Sequence, residues 1–334
     1  MPHARDTAFR AALEAAALVD LSRWGRLRVG GQDRLRFLHN YTTAAFQNAQ
    51  HGEAIEAVVL TATARMIDYV TALVEEEHVW LLTSPERRAV LPNWFQRFIF
   101  FNDDVTVEDA TEQTGLLSLI GPRSADVLAE AGVPLPEPGQ FVPAALGEQP
   151  VLIVAGSGLH APGYRLVALA PDTGPARERL LEAGASLGLV EADGETWEQL
   201  RVWHGRPAAD REITEEYNPL EAGLWHAIRF DKGCYIGQEV VARLDTYRKI
   251  KQHLMRVDLE APAPAGSEVT ADGKTVGRLT SVAETPVGTF GLAYIRREAA
   301  QPGREVTVLA GAEVVNARLS DPLFVRRERP PELP

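Results

Sequence analysis

Cys234 is the only cysteine in the chain, and it sits in an unusual run: Phe230-Asp231-Lys232-Gly233-Cys234-Tyr235-Ile236-Gly237-Gln238-Glu239-Val240-Val241-Ala242-Arg243. Asn218-Pro219-Leu220-Glu221 leads into it. Gly233 and Gly237 give the backbone conformations that other residues resist, so the spacing predicts a thiol on a tight turn. Residues 238–244 have helical character, with Glu239 and Arg243 as an i,i+4 pair of opposite charge in the favourable order. Cys234 is therefore expected just before a helix N-terminus. That position, with the Lys232 cation beside it, favours thiolate over thiol and makes the pair a candidate for nucleophilic or redox chemistry. Asp231 and Glu239 push the other way. The same spacing also fits a small buried hydrophobe on a packing turn, and the residues alone leave both readings open.

Other chemistries fare worse. The histidines at 3, 39, 51, 78, 160, 204, 226 and 253 form no H-x-x-x-H pair, and one cysteine builds no thiolate cage, so no metal site is expected. Gly156-Ser157-Gly158-Leu159-His160-Ala161 follows an apolar run and fits the form that opens dinucleotide-binding folds. That form needs a long helix after the glycines to meet the pyrophosphate. Pro162-Gly163 and another β-rich run follow instead, so the segment reads as a hairpin.

The elements that must position Cys234 follow from patterning. At 334 residues and 45% hydrophobic, the chain buries a sizeable core and is expected to form two or three domains. With 34 basic against 46 acidic residues its net charge is −12, a field that repels phosphate backbones and argues against nucleic acid as a partner. No run approaches the roughly 18 apolar residues of a membrane span. A lone cysteine suits a reducing compartment, so the expectation is a cytoplasmic protein with no membrane partner, and a monomer.

An α+β module is expected over residues 1–104. It would hold a helix at 7–20, a strand at 26–29, a helix capped by Asp33, strands at 54–60, 66–74 and 78–83, and a helix at 85–98 opened by Pro85. A second α+β module, 105–249, would hold strands at 105–108, 115–120, 150–155 and 164–170, and helices at 124–131 and 175–185, with a Pro-rich passage at 134–143. From residue 250 short strands recur at 254–259, 267–271, 276–282, 290–295, 306–309 and 314–319, with Asp272-Gly273 as a hairpin signal. This pattern predicts a small β-barrel of about 80 residues. The charged, Pro-rich tail after Phe324 is expected to be loose.

The string Lys232-Gly233-Cys234-Tyr235-Ile236-Gly237-Gln238-Glu239 resembles the signature of YgfZ-type proteins, the folate-binding branch related to the glycine-cleavage aminomethyltransferase (T-protein). Gly31-Gln32-Asp33-Arg34 with Phe37-Leu38-His39-Asn40 and Thr42-Thr43 resembles the family's first motif, and Arg65-Met66-Ile67-Asp68 its second. Leu200-Arg201, Gly205-Arg206-Pro207 and Pro219-Leu220-Glu221 resemble the approach to the cysteine loop. Val276-Gly277-Arg278-Leu279-Thr280-Ser281 and Gly291-Leu292-Ala293-Tyr294-Ile295 resemble its barrel.

The resemblance implies an α+β fold of two ferredoxin-like modules and a C-terminal β-barrel around a folate channel. The implied ligand is tetrahydrofolate or a one-carbon derivative. A flat pterin needs a slot with a few matched polar groups, and its glutamyl tail needs cations. Arg65, Arg201, Arg206 and Arg243 are the candidate cations. Asp68, Tyr69, Trp203, Glu221, Tyr235, Gln238 and Glu239 are the other positions carried over as folate contacts.

Two departures bear on activity. Transferases carry paired aspartates where this chain reads Ile67-Asp68-Tyr69, and a pterin-gripping glutamate where it has Trp203. Losing a carboxylate that holds the pterin edge leaves buried polar groups unmatched, which argues against aminomethyl transfer. The resemblance then implies an accessory factor in assembly or repair of iron–sulfur clusters, with Cys234 as its functional thiol and iron–sulfur proteins or cluster-assembly factors as partners. A folate-dependent one-carbon transferase or demethylase and a non-catalytic scaffold are the alternatives.

Overall fold

The computed structural model describes residues 2–328. They form two compact units, one of residues 2–59 and 68–197, the other of residues 60–67 and 198–328.

The first unit opens with α1 (Pro2–Glu14) and β1 (Ala16–Asp20), so the helix expected over 7–20 ends early. Ala16, Ala17, Leu18 and Val19 are all buried, and β1 pairs with a strand on each side. Two-sided sheet burial overrides alanine's helix preference. β2 (Gly25–Gly30), α2 (Arg34–Tyr41), β3 (Ala54–Leu60), β4 (Met66–Val74) and β5 (His78–Thr83) fall where the pattern placed them. Asp33 occupies the N-cap of α2 but makes no side-chain cap; its carboxylate accepts from Arg36 Nε (3.2 Å) and Asp104 N (3.1 Å).

The helix expected over 85–98 is a 3-10 turn (Pro85–Arg87) followed by α3 (Val90–Gln96). Pro92 has no N–H to continue a helix through this stretch, and its ring crowds the carbonyl four residues back.

The unit continues with β6 (Thr106–Asp109), β7 (Gly115–Ile120), α4 (Ser124–Glu130), β8 (Phe141–Leu146), β9 (Gln149–Ala155), β10 (Gly163–Ala168), α5 (Gly174–Gly184) and β11 (Leu189–Ala192). Its strands make a five-stranded sheet of order β3-β4-β5-β2-β6 and a six-stranded sheet of order β11-β1-β7-β10-β9-β8. Two strands ignore the expected division near residue 104. β6 completes the first sheet beside β2, and β1 lies inside the second between β7 and β11. The Pro-rich passage hides β8, which carries Pro143 at the sheet's edge, where a missing N–H breaks no ladder. The glycines at 156 and 158 turn the chain between antiparallel β9 and β10 with φ of +93° and +86°, so the dinucleotide-like string is a hairpin.

The second unit takes up most of α6 (Gly194–His204), then a long irregular segment, α7 (Gln238–Thr246), and the barrel. β12 (Gln252–Leu259), β13 (Glu268–Ala271), β14 (Lys274–Thr285), β15 (Gly288–Arg296), β16 (Glu305–Ala310) and β17 (Glu313–Ser320) close in the order β12-β15-β14-β13-β16-β17. Alternate residues such as Met255, Val257, Val269, Ile295, Val308 and Leu319 fill its interior, the period-2 pattern that marked these strands. Of the tail expected to be loose, residues 329–334 lie outside the described residues.

Candidate functional site

The cysteine loop lies wholly in the second unit. Cys234 is an exposed free thiol, and Gly233 beside it is exposed too. The reading of Cys234 as a buried packing residue is therefore set aside. α7 begins at Gln238, four positions on, with Gly237 at its N-cap in the left-handed region (φ +82°). A Cβ on Gly237 would lie 2.8 Å from the Thr61 carbonyl oxygen and 3.2 Å from Ala64 Cα. The loop is thus pressed against the turn of residues 61–65, which is itself tightly bonded. Thr61 N donates to Arg65 O (2.9 Å), Ala64 N to Thr61 O (2.9 Å) and Arg65 N to Thr61 Oγ1 (3.1 Å). Ala64, buried, holds φ +57° there, a strained conformation for a residue with a Cβ.

Tyr235 is buried, and burial pushes its phenol well above the ordinary value. Lys232 is half-buried, with Nζ 4.6 Å from the centre of the Tyr235 ring, a cation–π contact. Desolvation brings its ammonium from 10.5 down to about 7. Lys232 therefore carries only part of a positive charge at neutral pH, which weakens the role of thiolate-stabilising cation expected from spacing. Gln238 is half-buried, its N–H donating to Tyr235 O (3.1 Å). Glu239 and Arg243 are exposed and 3.8 Å apart, a pair worth little in stability.

Arg65 is half-buried and donates from Nη1 to Glu216 O (2.6 Å). Glu221 is buried; burial raises its carboxyl, opposed by the Asn218 N–H (3.3 Å) and by Arg65. Its backbone oxygen accepts from Leu254 N (2.9 Å), tying this stretch to β12. Trp203 is half-buried, edge-on to Phe290 at 4.7 Å, with the Arg256 guanidinium 4.8 Å over its ring.

Arg201 and Arg206 do not present free cations. Arg201 is 2% exposed and forms the centre of a buried network. Its guanidinium donates to Glu198 (2.6 and 2.7 Å), Glu212 (3.1 Å), Ser281 Oγ (2.7 Å) and Arg206 O (2.7 Å). Burial opposes its charge, but Glu212 and Glu198 outweigh that and raise its pKa. Glu212, fully buried, also accepts from Ser281 Oγ (2.6 Å), Thr280 Oγ1 (2.5 Å) and Ala208 N (3.0 Å). This carboxylate was invisible to spacing, although Thr280 and Ser281 stand in the barrel motif that marked the resemblance. Arg206 is buried, 5.8 Å from the Phe324 ring centre.

In the first unit, Asp68 is fully buried on β4. Ser84 N donates to Oδ2 (3.0 Å) and Ser84 Oγ to Oδ1 (2.6 Å), so both oxygens are engaged by a residue the spacing did not single out. Tyr69 is buried as well. Among the described residues, no group of three or more His, Cys, Asp or Glu is placed to hold a metal, and no helix is long and apolar enough to cross a membrane. A cleft of about 880 Å³ lies at one end of the barrel, among Asp258, Thr270, Asp272, Phe290 and Thr307; none of the predicted site residues lines it.

Residues 3–232 match the family model for the GCVT N-terminal domain, and residues 251–324 match that for the CAF17, C-terminal beta-barrel domain. A putative chloroplastic transferase of Arabidopsis thaliana is 38% identical over 331 residues, covering 98% of this chain and 75% of the relative. The aminomethyltransferase of Bacillus subtilis is 25% identical, over 94% of this chain and 88% of its own length. The crystal structure of the glycine cleavage system aminomethyltransferase T from Bartonella henselae has a TM-score of 0.82 at 20% identity, over 97% of this chain and 90% of that one. At that identity the likeness is one of fold.

Proposed function

Because this chain belongs to the GcvT-like family, with a CAF17-type barrel at its C-terminus, we propose that it is a tetrahydrofolate-binding accessory protein in iron–sulfur cluster assembly or repair, with Cys234 as its functional thiol. The folate ligand follows from the family resemblance. What carries the reading is the exposure of Cys234 on a loop braced by Gly237 and stacked Lys232 and Tyr235. An exposed thiol is accessible to soft partners, and a free exposed thiol suits a reducing compartment such as the cytoplasm. The clients are then iron–sulfur proteins or cluster-assembly factors.

Calorimetric titration with tetrahydrofolate tests the ligand. Heat of binding and a raised melting temperature are expected, because a ligand bound only by the native state stabilises it; neither signal would remove the folate assignment. A Cys234→Ala variant tests the thiol. Loss of cluster-enzyme activity in cells, with the fold retained, is expected. Unimpaired activity would leave a non-catalytic scaffold.

Aminomethyl transfer or demethylation is the second reading, and the names of relatives such as the Bacillus subtilis protein favour it. Asp68 is present for it, but Trp203 stands where the transferases have their pterin-gripping glutamate. Transfer of a methylene unit to tetrahydrofolate, assayed directly, separates the two.

A further inference from the structure

Residues 247–252 and 296–297 carry five cations, Arg248, Lys249, Lys251, Arg296 and Arg297, and no carboxylate. All five are exposed. They share one place in the second unit: Gln252 on β12 pairs with Arg296 on β15, Arg297 N donates to Lys251 O (2.9 Å), and Arg297 Nη1 donates to Arg248 O (2.6 Å). In a chain of net charge −12 this face has the sign opposite to the whole. Exposed arginines elsewhere, such as Arg28, Arg36, Arg123 and Arg211, ion-pair with carboxylates. Among the described residues none of these five cations does so.

Local structure accounts for only part of this charge. Cations after a helix C-terminus complement its dipole, and Arg248 and Lys249 stand so to α7. Lys251, Arg296 and Arg297 end no helix. Tyr247, 64% exposed, lies among them, with Lys249 Nζ 5.4 Å from its ring centre. Arg248 holds φ +50°, a left-handed conformation that a residue with a Cβ adopts only under constraint. Its N–H donates to Asp245 O (3.1 Å), and the Arg297 guanidinium engages its carbonyl. From beneath, the buried Glu221 carboxylate accepts from the Lys251 backbone N–H. The face is therefore held in shape by its own backbone while its charges stay in water.

We propose that this face docks a protein with a carboxylate-rich surface. Arginine and tyrosine are enriched among the residues that dominate protein interfaces, and a charged face of this kind steers a partner of opposite sign onto it. Asp245 and Glu298 bound the face in sequence, so a long phosphate chain laid across it would run onto carboxylates, whereas a protein surface of limited extent fits. α7, nine residues long and so about 14 Å, separates the face from the cysteine loop. A single partner covering about 800 Å² spans that length. That the docked protein is a client of Cys234 rests on the thiol reading above; the docking itself does not.

The probe is a labelled peptide of about ten glutamates, at most about 36 Å long, followed by fluorescence anisotropy on the full chain. It is expected to bind at low salt, to weaken as salt is added, and to lose at least about tenfold in affinity in Lys249→Glu with Lys251→Glu. The neutral pair Lys249→Gln with Lys251→Gln, which adds no repulsion, is expected to fall between. Arg23→Glu with Arg97→Glu makes the same change of net charge at two exposed cations of the first unit that also make no ion pair among the described residues, and is expected to shift affinity less than about twofold. Absence of binding, or equal loss in both charge reversals, would overturn the proposal. So would tighter binding of a uridine decamer or of phosphatidylglycerol vesicles, which would assign the face to phosphate, or salt-sensitive self-association in sedimentation, which would give it to a second copy of the chain. The same peptide carrying an activated disulfide reads the thiol. Exchange with Cys234 at least about tenfold faster than from a serine peptide, with the advantage lost in high salt, supports both the docking and the client reading. Salt-sensitive binding without faster exchange keeps the docking face and removes its link to Cys234.

Discussion

The brace behind the cysteine loop can be measured by comparing two glycines. Gly237 and Gly266 both hold left-handed conformations, φ +82° and +91°. They differ in what an added methyl would meet. Around Gly266 nothing lies within 4 Å, whereas at Gly237 the new carbon would sit 2.8 Å from Thr61 O, 3.2 Å from Ala64 Cα and 3.3 Å from Ala64 N. All three neighbours are backbone, so no side chain can swing aside. Gly266→Ala carries only the conformational cost, about 1–2 kcal/mol. Gly237→Ala adds overpacking of about 1–3 kcal/mol, for a total of roughly 2–5 kcal/mol. Urea unfolding of both variants reads the difference. The rate at which an aromatic disulfide modifies Cys234, the chain's only thiol, reads the loop itself. Gly237→Ala is expected to unfold more easily than Gly266→Ala by at least about 1 kcal/mol and to alter the thiol rate, while Gly266→Ala leaves that rate at the wild-type value. Equal losses with unchanged thiol rates in both would refute the inference that the 61–65 turn holds the loop.

Lys232 makes stability depend on pH. Its ammonium titrates near 7 in the fold against 10.5 ordinarily, so between those values the unfolded chain holds a proton that the folded chain lacks, and stability rises with pH across that window. The gap bounds the cost of the buried charge below pH 7 at about 5 kcal/mol, and residual contact with water reduces it to roughly 1–2. Lys232→Met is accordingly expected to be more stable than wild type at pH 6, with the advantage shrinking by pH 10, in paired urea melts. Arg201→Met leaves Glu212 buried without its main countercharge and is expected to cost about 3–5 kcal/mol; Arg201→Met with Glu212→Gln should recover part of that loss, and full additivity of the two would contradict the network. Asp68→Ala strips the acceptors from Ser84 N and Oγ and is expected to lower stability by about 1–3 kcal/mol, whereas Ser84→Ala costs less; thermal unfolding of the pair ranks them.

What the sequence made legible depended on how local the cause was. The barrel strands announce themselves because each buries one face, and Asp272-Gly273 turns where both residues hold positive φ, +51° and +72°. β1 reads as helix from its own residues because its pairing with β7 and β11 depends on residues about a hundred and more than a hundred and seventy positions away. α6 is not legible in the sequence because Arg201 is buried beside Leu200 and Val202, and a charge there breaks the apolar period that marks a helix.

The same residue misleads about the site. Arg201 reads as a ligand cation until Glu212, eleven residues on, and Ser281, eighty on, are seen to engage it. A guanidinium so neutralised at home has no field left to hold a glutamyl tail, and withdrawing it for that purpose would strand Glu212 in the interior. Of the four arginines that the resemblance offers for an anionic tail, those that still face water are Arg243, exposed on α7, and Arg65, which is only half-buried on the turn that braces Gly237. Capture of the tail by Arg65 would act on the same turn that holds the cysteine loop, so ligand binding and thiol reactivity in this protein are expected to change together.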